Sequence, residues 1–202
     1  MKRYKNYKQF FDFLFSFILI ILLFPVFILI GLAVFIFMGR PIFFTQDRPG
    51  INNKIFRIYK FRTMRLTLRN ENITNTDENR LNKFGSILRS TSLDEIPSLI
   101  NIIKGDMSFV GPRPLLVEYL ELYDKFQLKR HKVLPGLTGL SQISGRNNLS
   151  WKERFEKDVF YVENYNFFMD IKILFLTIWK VLSKDGINSK GSRTCKPFEG
   201  NK

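Results

Sequence analysis

The 202-residue chain has one cysteine, one histidine and few acids: 18 Asp and Glu stand against 32 Lys and Arg, a formal net charge of +14. A single cysteine, Cys195, excludes an internal disulfide framework and fits a reducing compartment. It lies in a polar tail and receives no role. The single histidine, His131, is set in Lys-Arg-His-Lys, where cationic neighbours disfavour its protonated form, and it is no candidate nucleophile. Walker-type glycine loops and paired Cys/His metal spacing are both missing. A divalent cation would therefore need oxygen ligands, which suits magnesium bridging a carboxylate and phosphates. The shortage of acids leaves a surface that seeks polyanions, either nucleic acid or an anionic membrane. No nucleic-acid motif accompanies the charge, so the expected partner is anionic membrane lipid and not nucleic acid.

An apolar run supports that choice. Residues 13–38 carry no charge and include Ser16, Pro25 and Gly31. As one straight helix they would span about 39 Å, more than the roughly 30 Å of a bilayer core. Length alone reads as one transmembrane helix. Pro25 argues otherwise, because it removes a backbone hydrogen bond near the middle and clashes with the carbonyl of Ile21. The flanks are also balanced: Lys2, Arg3, Lys5 and Lys8 precede the run, and Arg40, Arg48, Lys54 and Arg57 follow it. Basic residues on both sides are best accommodated if both ends stay on the cytoplasmic face. The expectation is a re-entrant helix-break-helix turning at Phe24-Pro25, each half about 18 Å long and suited to one leaflet.

Beyond the run the pattern shortens. Residues 42–46 and 55–62 read as paired strands around Arg48-Pro49-Gly50 and Asn52-Asn53. Residues 67–82 are polar and Asn-rich, a surface loop. Short helices are expected at 81–89 and 96–104, the second ending at Gly105. Apolar positions 116, 119, 120, 123 and 126 predict an amphipathic helix over 115–132. Residues 134–148 read as loop with a short strand, and 151–165 and 170–184 as helices. The last is apolar with Lys172, Lys180 and Lys184, which fits either the membrane interface or a core. The fold class is α+β and mostly helical: a membrane hairpin over 1–38, then a small cytoplasmic catalytic domain over 39–202 with interfacial helices and a short β-hairpin.

Chemistry concentrates between Arg89 and Pro114. Asp94 and Glu95 are adjacent carboxylates that could attack phosphorus, bind a metal or move a proton. Two helix caps compete with that reading. Ser92 and Glu95 could form a capping box, although Pro97 then falls at the fifth helical position. Alternatively Asp94 itself caps the helix. Arg113, between Pro112 and Pro114, sits on a stiff backbone that aims its guanidinium at a phosphate. Arg89 lies five residues before Asp94. Lys60, Arg62, Arg146 and Asn147 are further candidate phosphate or nucleotide contacts.

Taken together, these segments resemble the small monotopic phosphoglycosyl transferases of the bacterial sugar transferase family. The resemblance rests on Phe44-Thr45-Gln46 with Arg48-Pro49-Gly50, Lys54-Ile55-Phe56 with Tyr59-Lys60-Phe61, and Ser92-Leu93-Asp94-Glu95. It continues through Lys104-Gly105-Asp106-Met107-Ser108, Val110-Gly111-Pro112-Arg113-Pro114-Leu115, Pro135-Gly136-Leu137-Thr138-Gly139 and Gly145-Arg146-Asn147. Phe24 stands where the family usually places a serine before the hairpin proline. Leu134 replaces a basic residue, and Ser144 replaces an asparagine.

The resemblance implies that a sugar-1-phosphate passes from a UDP-sugar to polyprenyl (undecaprenyl) phosphate at the inner-membrane cytoplasmic face, releasing UMP. Asp94 would be nucleophile and magnesium ligand, with Glu95 its helper. Arg89, Arg113 and Pro112 would belong to the substrate site. The C-terminal stretch and length most resemble the enzymes that use UDP-N,N'-diacetylbacillosamine in bacterial protein glycosylation. A magnesium-dependent phosphohydrolase and a basic membrane-binding protein without chemistry are the alternatives.

Overall fold

The computed structural model describes residues 2–66, 80–145, 149–183 and 197–200. Helix α1, Lys2–Met38, holds the apolar run. Leu, Ile and Phe fill it, and Asn6–Met38 is long and apolar enough to cross a membrane, with only 11% of its most apolar window buried. A core helix would be covered; this one is not. The expected interruption at Phe24-Pro25 is not a gap in the helix, which continues through Pro25 to Met38. A proline within a helix can be accommodated by a bend instead of an end.

Both ends of α1 are tied to the same body. Near the start, the Tyr4 hydroxyl and the Lys8 ammonium donate to Asp170 Oδ2 at 2.7 and 2.5 Å. At the other end Gly39, with φ of +71°, provides the left-handed residue that closes a helix C-terminus, and its N–H reaches the Phe35 carbonyl. The buried Arg62 guanidinium donates to the Met38, Gly39 and Arg40 carbonyls. It thereby satisfies oxygens that the helix leaves open.

Strands β1 (Phe43–Pro49) and β2 (Ile55–Phe61) form the expected antiparallel hairpin, with Phe43 opposite Phe61 and Pro49 opposite Ile55. Asn52 and Asn53 take positive φ in the turn. Helix α2 covers Lys83–Ser90, capped by Asn82 on the Gly85 N–H. A 3₁₀ segment, Leu93–Ser98, then runs into the short helix α3, Leu99–Ile103. These two elements close the free edge of β2: Ser98 donates to the Tyr59 carbonyl at 2.8 Å, and Asn101 bonds the Arg57 carbonyl and the Tyr59 N–H. Both side chains are fully buried, so the polar groups are paired where water is absent.

Strand β3 (Ser108–Val110) pairs in parallel with β4 (Gly136–Thr138), a pairing not anticipated from the sequence. A Cβ at Gly111 would lie 2.4 Å from the Leu134 carbonyl oxygen, so only glycine permits this approach. Residues 115–132 form two 3₁₀ segments, Val117–Leu122 and Gln127–Lys132, and not the continuous helix expected. Asp124 and Gln127 exchange side-chain bonds with each other's backbone N–H, which turns the chain between them. The apolar spacing still serves burial: Tyr119 and Tyr123 pack with Phe155 and with Phe198 from the tail.

Helices α4 (Leu140–Ser144), α5 (Trp151–Asn164) and α6 (Phe167–Leu182) complete the chain. Ser150 and Glu153 make a capping box on α5. Helix α6 is no core helix. It buries Asp170 and Ile173 but exposes Phe168, Phe175, Ile178, Trp179 and Leu182.

Candidate active site

The β2 edge, the 3₁₀ segment Leu93–Ser98 and the Pro112-Arg113-Pro114 turn meet in one cleft of about 1010 Å³. Neither expected cap forms on the segment. Ser92 adopts φ of +57° with no side-chain capping bond, and Glu95 turns to the cations instead. Lys60 Nζ lies 2.5 Å from Glu95 Oε1, and Arg113 donates to the same oxygen at 3.0 Å. Burial alone would raise the Glu95 pKa, but Lys60 and Arg113 overcome it and hold it down to about 2. Glu95 is therefore a fixed anion that sets two cations in place.

Asp94 differs in every respect. It is 8% exposed, and among the described residues its carboxylate makes no hydrogen bond or ion pair. Burial, reinforced by the negative charge of Glu95, pushes its pKa up to about 6 against the pull of Lys60, Arg113 and Arg89. At neutral pH the group remains mostly ionised and desolvated, a state in which a carboxylate can attack an electrophile, bind a metal or move a proton.

Arg89 lines the cleft and donates to the Thr63 hydroxyl at 2.9 Å. Pro112 accepts the Gly136 N–H on its carbonyl, fixing the turn to β4. Lys60, Arg89, Arg113, Asp94 and Glu95 are thus brought together as the sequence suggested. Arg62 also lines the cleft, but its guanidinium donates to the Met38, Gly39 and Arg40 carbonyls at the end of α1. Arg146 and Asn147 lie outside the described residues. His131 is a core residue, packed against Tyr123, and burial followed by Arg130 lowers its pKa to about 3.

Five cleft arginines, Arg48, Arg65, Arg80, Arg130 and Arg154, had no place in the sequence reading of the site. Arg48 approaches the Pro114 carbonyl, and burial followed by Arg113 lowers its pKa to about 10. It precedes Pro49 as Arg113 precedes Pro114, a repeated Arg-Pro signal. Arg154 stacks its guanidinium over Trp151. Arg130, almost fully buried, donates to the Arg113 carbonyl at 2.6 Å and pairs with Asp158 at 2.8 Å. Asp158 also accepts from Ser141 at 2.7 Å. Its signal was an acid on the buried stripe of α5, beside Phe155, Val159 and Val162.

A divalent cation fits this donor set in one way. Among the described residues no group of three acids, histidines or cysteines converges on a point. The unpaired Asp94 carboxylate can supply one oxygen, leaving substrate phosphates to supply others.

The description "Bacterial sugar transferase" matches residues 3–184 of the chain. The chain belongs to the bacterial sugar transferase family. Relatives within the family include the uncharacterized sugar transferase EpsL of Bacillus subtilis, 50% identical over 157 residues, which cover 78% of each chain. The UDP-glucose:undecaprenyl-phosphate glucose-1-phosphate transferase of Klebsiella pneumoniae is 38% identical over 86% of this chain and 40% of its own length. The undecaprenyl-phosphate galactose phosphotransferase of Salmonella typhimurium is 39% identical over 69% of this chain and 33% of its own. The chain thus spans less than half the length of these last two relatives.

Proposed function

We propose that the protein transfers a sugar-1-phosphate from a UDP-sugar to polyprenyl phosphate, through a phosphosugar carried on Asp94. The observation that carries the reading is the contrast within one dipeptide: Glu95 is locked between Lys60 and Arg113, while Asp94 is buried with its carboxylate unengaged.

An Asp94 oxygen attacks the sugar-bearing β-phosphorus. The bond from that phosphorus to the bridging oxygen breaks, and its electron pair leaves on UMP. An oxygen of the lipid phosphate then attacks the same phosphorus, and the carboxylate is restored. Lys60, Arg89 and Arg113 lie where the phosphate charge develops, and preorganised cations of this kind lower such barriers. Glu95 positions two of them. Magnesium, held by Asp94 and the diphosphate oxygens, would supply further charge neutralisation.

The re-entrant topology belongs to this proposal. Both ends of α1 touch one charged domain, which cannot itself lie in hydrocarbon. A helix that turned back from the bilayer at Pro25 would keep both ends at the cytoplasmic headgroup plane, where soluble nucleotide sugar and lipid phosphate meet. The sugar suggested by the C-terminal resemblance is N,N'-diacetylbacillosamine; the relatives are named for glucose and galactose.

The test is intact mass spectrometry of the protein with each UDP-sugar and no lipid. One added phosphosugar, absent in Asp94→Asn, is expected. Steady release of free sugar phosphate without lipid would instead identify a phosphohydrolase.

A further inference from the structure

The cleft is not uniformly polar. Asp94, Glu95, Lys60 and Arg113 form a charged group of lining residues. Leu19 and Leu23 of α1 and Phe109 and Leu137 of the parallel sheet, which pack on one apolar cluster, form an apolar group with Leu174 and Ile178 of α6. All of these except Ile178 are half-buried, the exposure of groove walls and not of core. The hydroxyl and amide donors beside this wall are already paired: the hydroxyls of Thr138 and Thr177 are 2.7 Å apart, Thr177 also bonds the Ile173 carbonyl at 2.7 Å, and Gln142 donates to the Leu137 carbonyl at 3.1 Å. An apolar occupant would therefore strand no buried donor there.

The two helices that contribute to this group carry the chain's most exposed apolar surfaces, Ile21 and Leu22 on α1 and Phe175, Ile178 and Trp179 on α6. A groove between two such helices opens toward the phase they prefer, which is lipid. A nucleotide sugar carries no hydrocarbon chain to run along such a wall. An amphiphile with one anionic head and a hydrocarbon tail matches both groups at once. The volume, about 1010 Å³, lies at the upper limit of common small-molecule sites and leaves room for a second substrate's head.

We infer that the apolar part of the cleft, between α1 and α6, receives the first isoprene units of the polyprenyl phosphate acceptor and so presents its phosphate to Asp94. This rests on the transferase reading, and the experiment separates the two. Leu19→Trp and Leu174→Trp fill the groove without touching the charged group; Ile21→Trp, on the exposed side of α1, is the control. Phosphosugar-enzyme formation from UDP-sugar without lipid reports folding and the first step. Discharge of that adduct is then timed with undecaprenyl phosphate and with dimethylallyl phosphate, which has one isoprene unit.

The groove variants should form adduct at the parent rate and discharge it to undecaprenyl phosphate about tenfold more slowly or worse, the scale of a misfitted apolar pocket. The control should behave as the parent does. Groove variants that discharge to the long-chain acceptor as fast as the parent overturn the inference, as does a control that slows equally. Absence of adduct in the parent protein defeats the transferase reading itself. If a filled variant does not fold, a diazirine-bearing polyprenyl phosphate on the parent protein decides: labels on residues 19–23 and 174–181 support the groove, and labels elsewhere refute it.

Discussion

The acidity of Asp94 makes a prediction that an ordinary aspartate cannot meet. Burial and Glu95 raise its pKa from 3.8 to about 6, which favours the protonated form by about 3 kcal/mol over a free carboxyl. In the proposed mechanism only the ionised oxygen attacks phosphorus. At pH 5 about one tenth of Asp94 is ionised, so phosphosugar-enzyme formation should fall about tenfold between pH 7 and pH 5. A carboxylate with pKa 3.8 would lose almost nothing over that range. The assay is single-turnover adduct formation, by rapid quench and intact mass, at UDP-sugar well below saturation, where the rate follows the ionisation of the free enzyme. Glu95 does not confuse the result, because Lys60 and Arg113 keep it ionised down to about 2. Glu95→Gln removes the like charge and leaves both cations near Asp94, so the acid limb should move to lower pH even as misplacement of Lys60 and Arg113 lowers the plateau. A rate that stays flat from pH 7 to pH 5, or a limb that moves upward in Glu95→Gln, would refute the electrostatic account.

Other outcomes follow from the same geometry. Because Asp94 binds its proton more tightly folded than unfolded, it costs stability above pH 6 and less as pH falls toward 3.8. Asp94→Asn should therefore raise thermal stability in detergent at pH 8, by up to about 3 kcal/mol, while abolishing the adduct. Arg130→Met leaves Asp158 buried without its cation and should cost about 3–5 kcal/mol by denaturant titration; Asp158→Leu in the same chain should recover part of it. Phe198→Ala opens a cavity among Tyr119, Tyr123, Trp151 and Phe155 and should cost about 3–5 kcal/mol in the same titration. Gly111→Ala places a methyl against the Leu134 carbonyl and should prevent accumulation of folded protein, read by size-exclusion in detergent.

Local chemistry was legible in the sequence and long-range pairing was not. The β1–β2 hairpin, α5 and α6 followed from periodicity and turn residues. Asp94, Glu95 and Arg113 stood out because each is adjacent to its partner or stiffened by proline. Lys60 and Arg62 looked equivalent, two residues apart. The strand ends between them, so one reaches Glu95 and the other reaches the end of α1. Residues 115–132 had helical spacing, yet Asp124 and Gln127 capture each other's backbone, and a spacing rule does not weigh that competition. The parallel pairing of three-residue strands leaves almost no periodic signal. Arg130 and Asp158, 28 residues apart, could be joined only by the fold.

The left-handed Ser92 has a further consequence. Were residues 89–94 one regular helix, Arg89 and Asp94 would be separated by five steps of 100°, about 140° around the axis, and would face different surroundings. The reversal at Ser92 resets the helical phase, and both side chains line one cleft. Arg89 and the proposed nucleophile then share the cleft by way of the turn at Ser92. Lengthening the Thr91-Ser92 turn by one residue would leave every functional group in the chain and take away their shared setting.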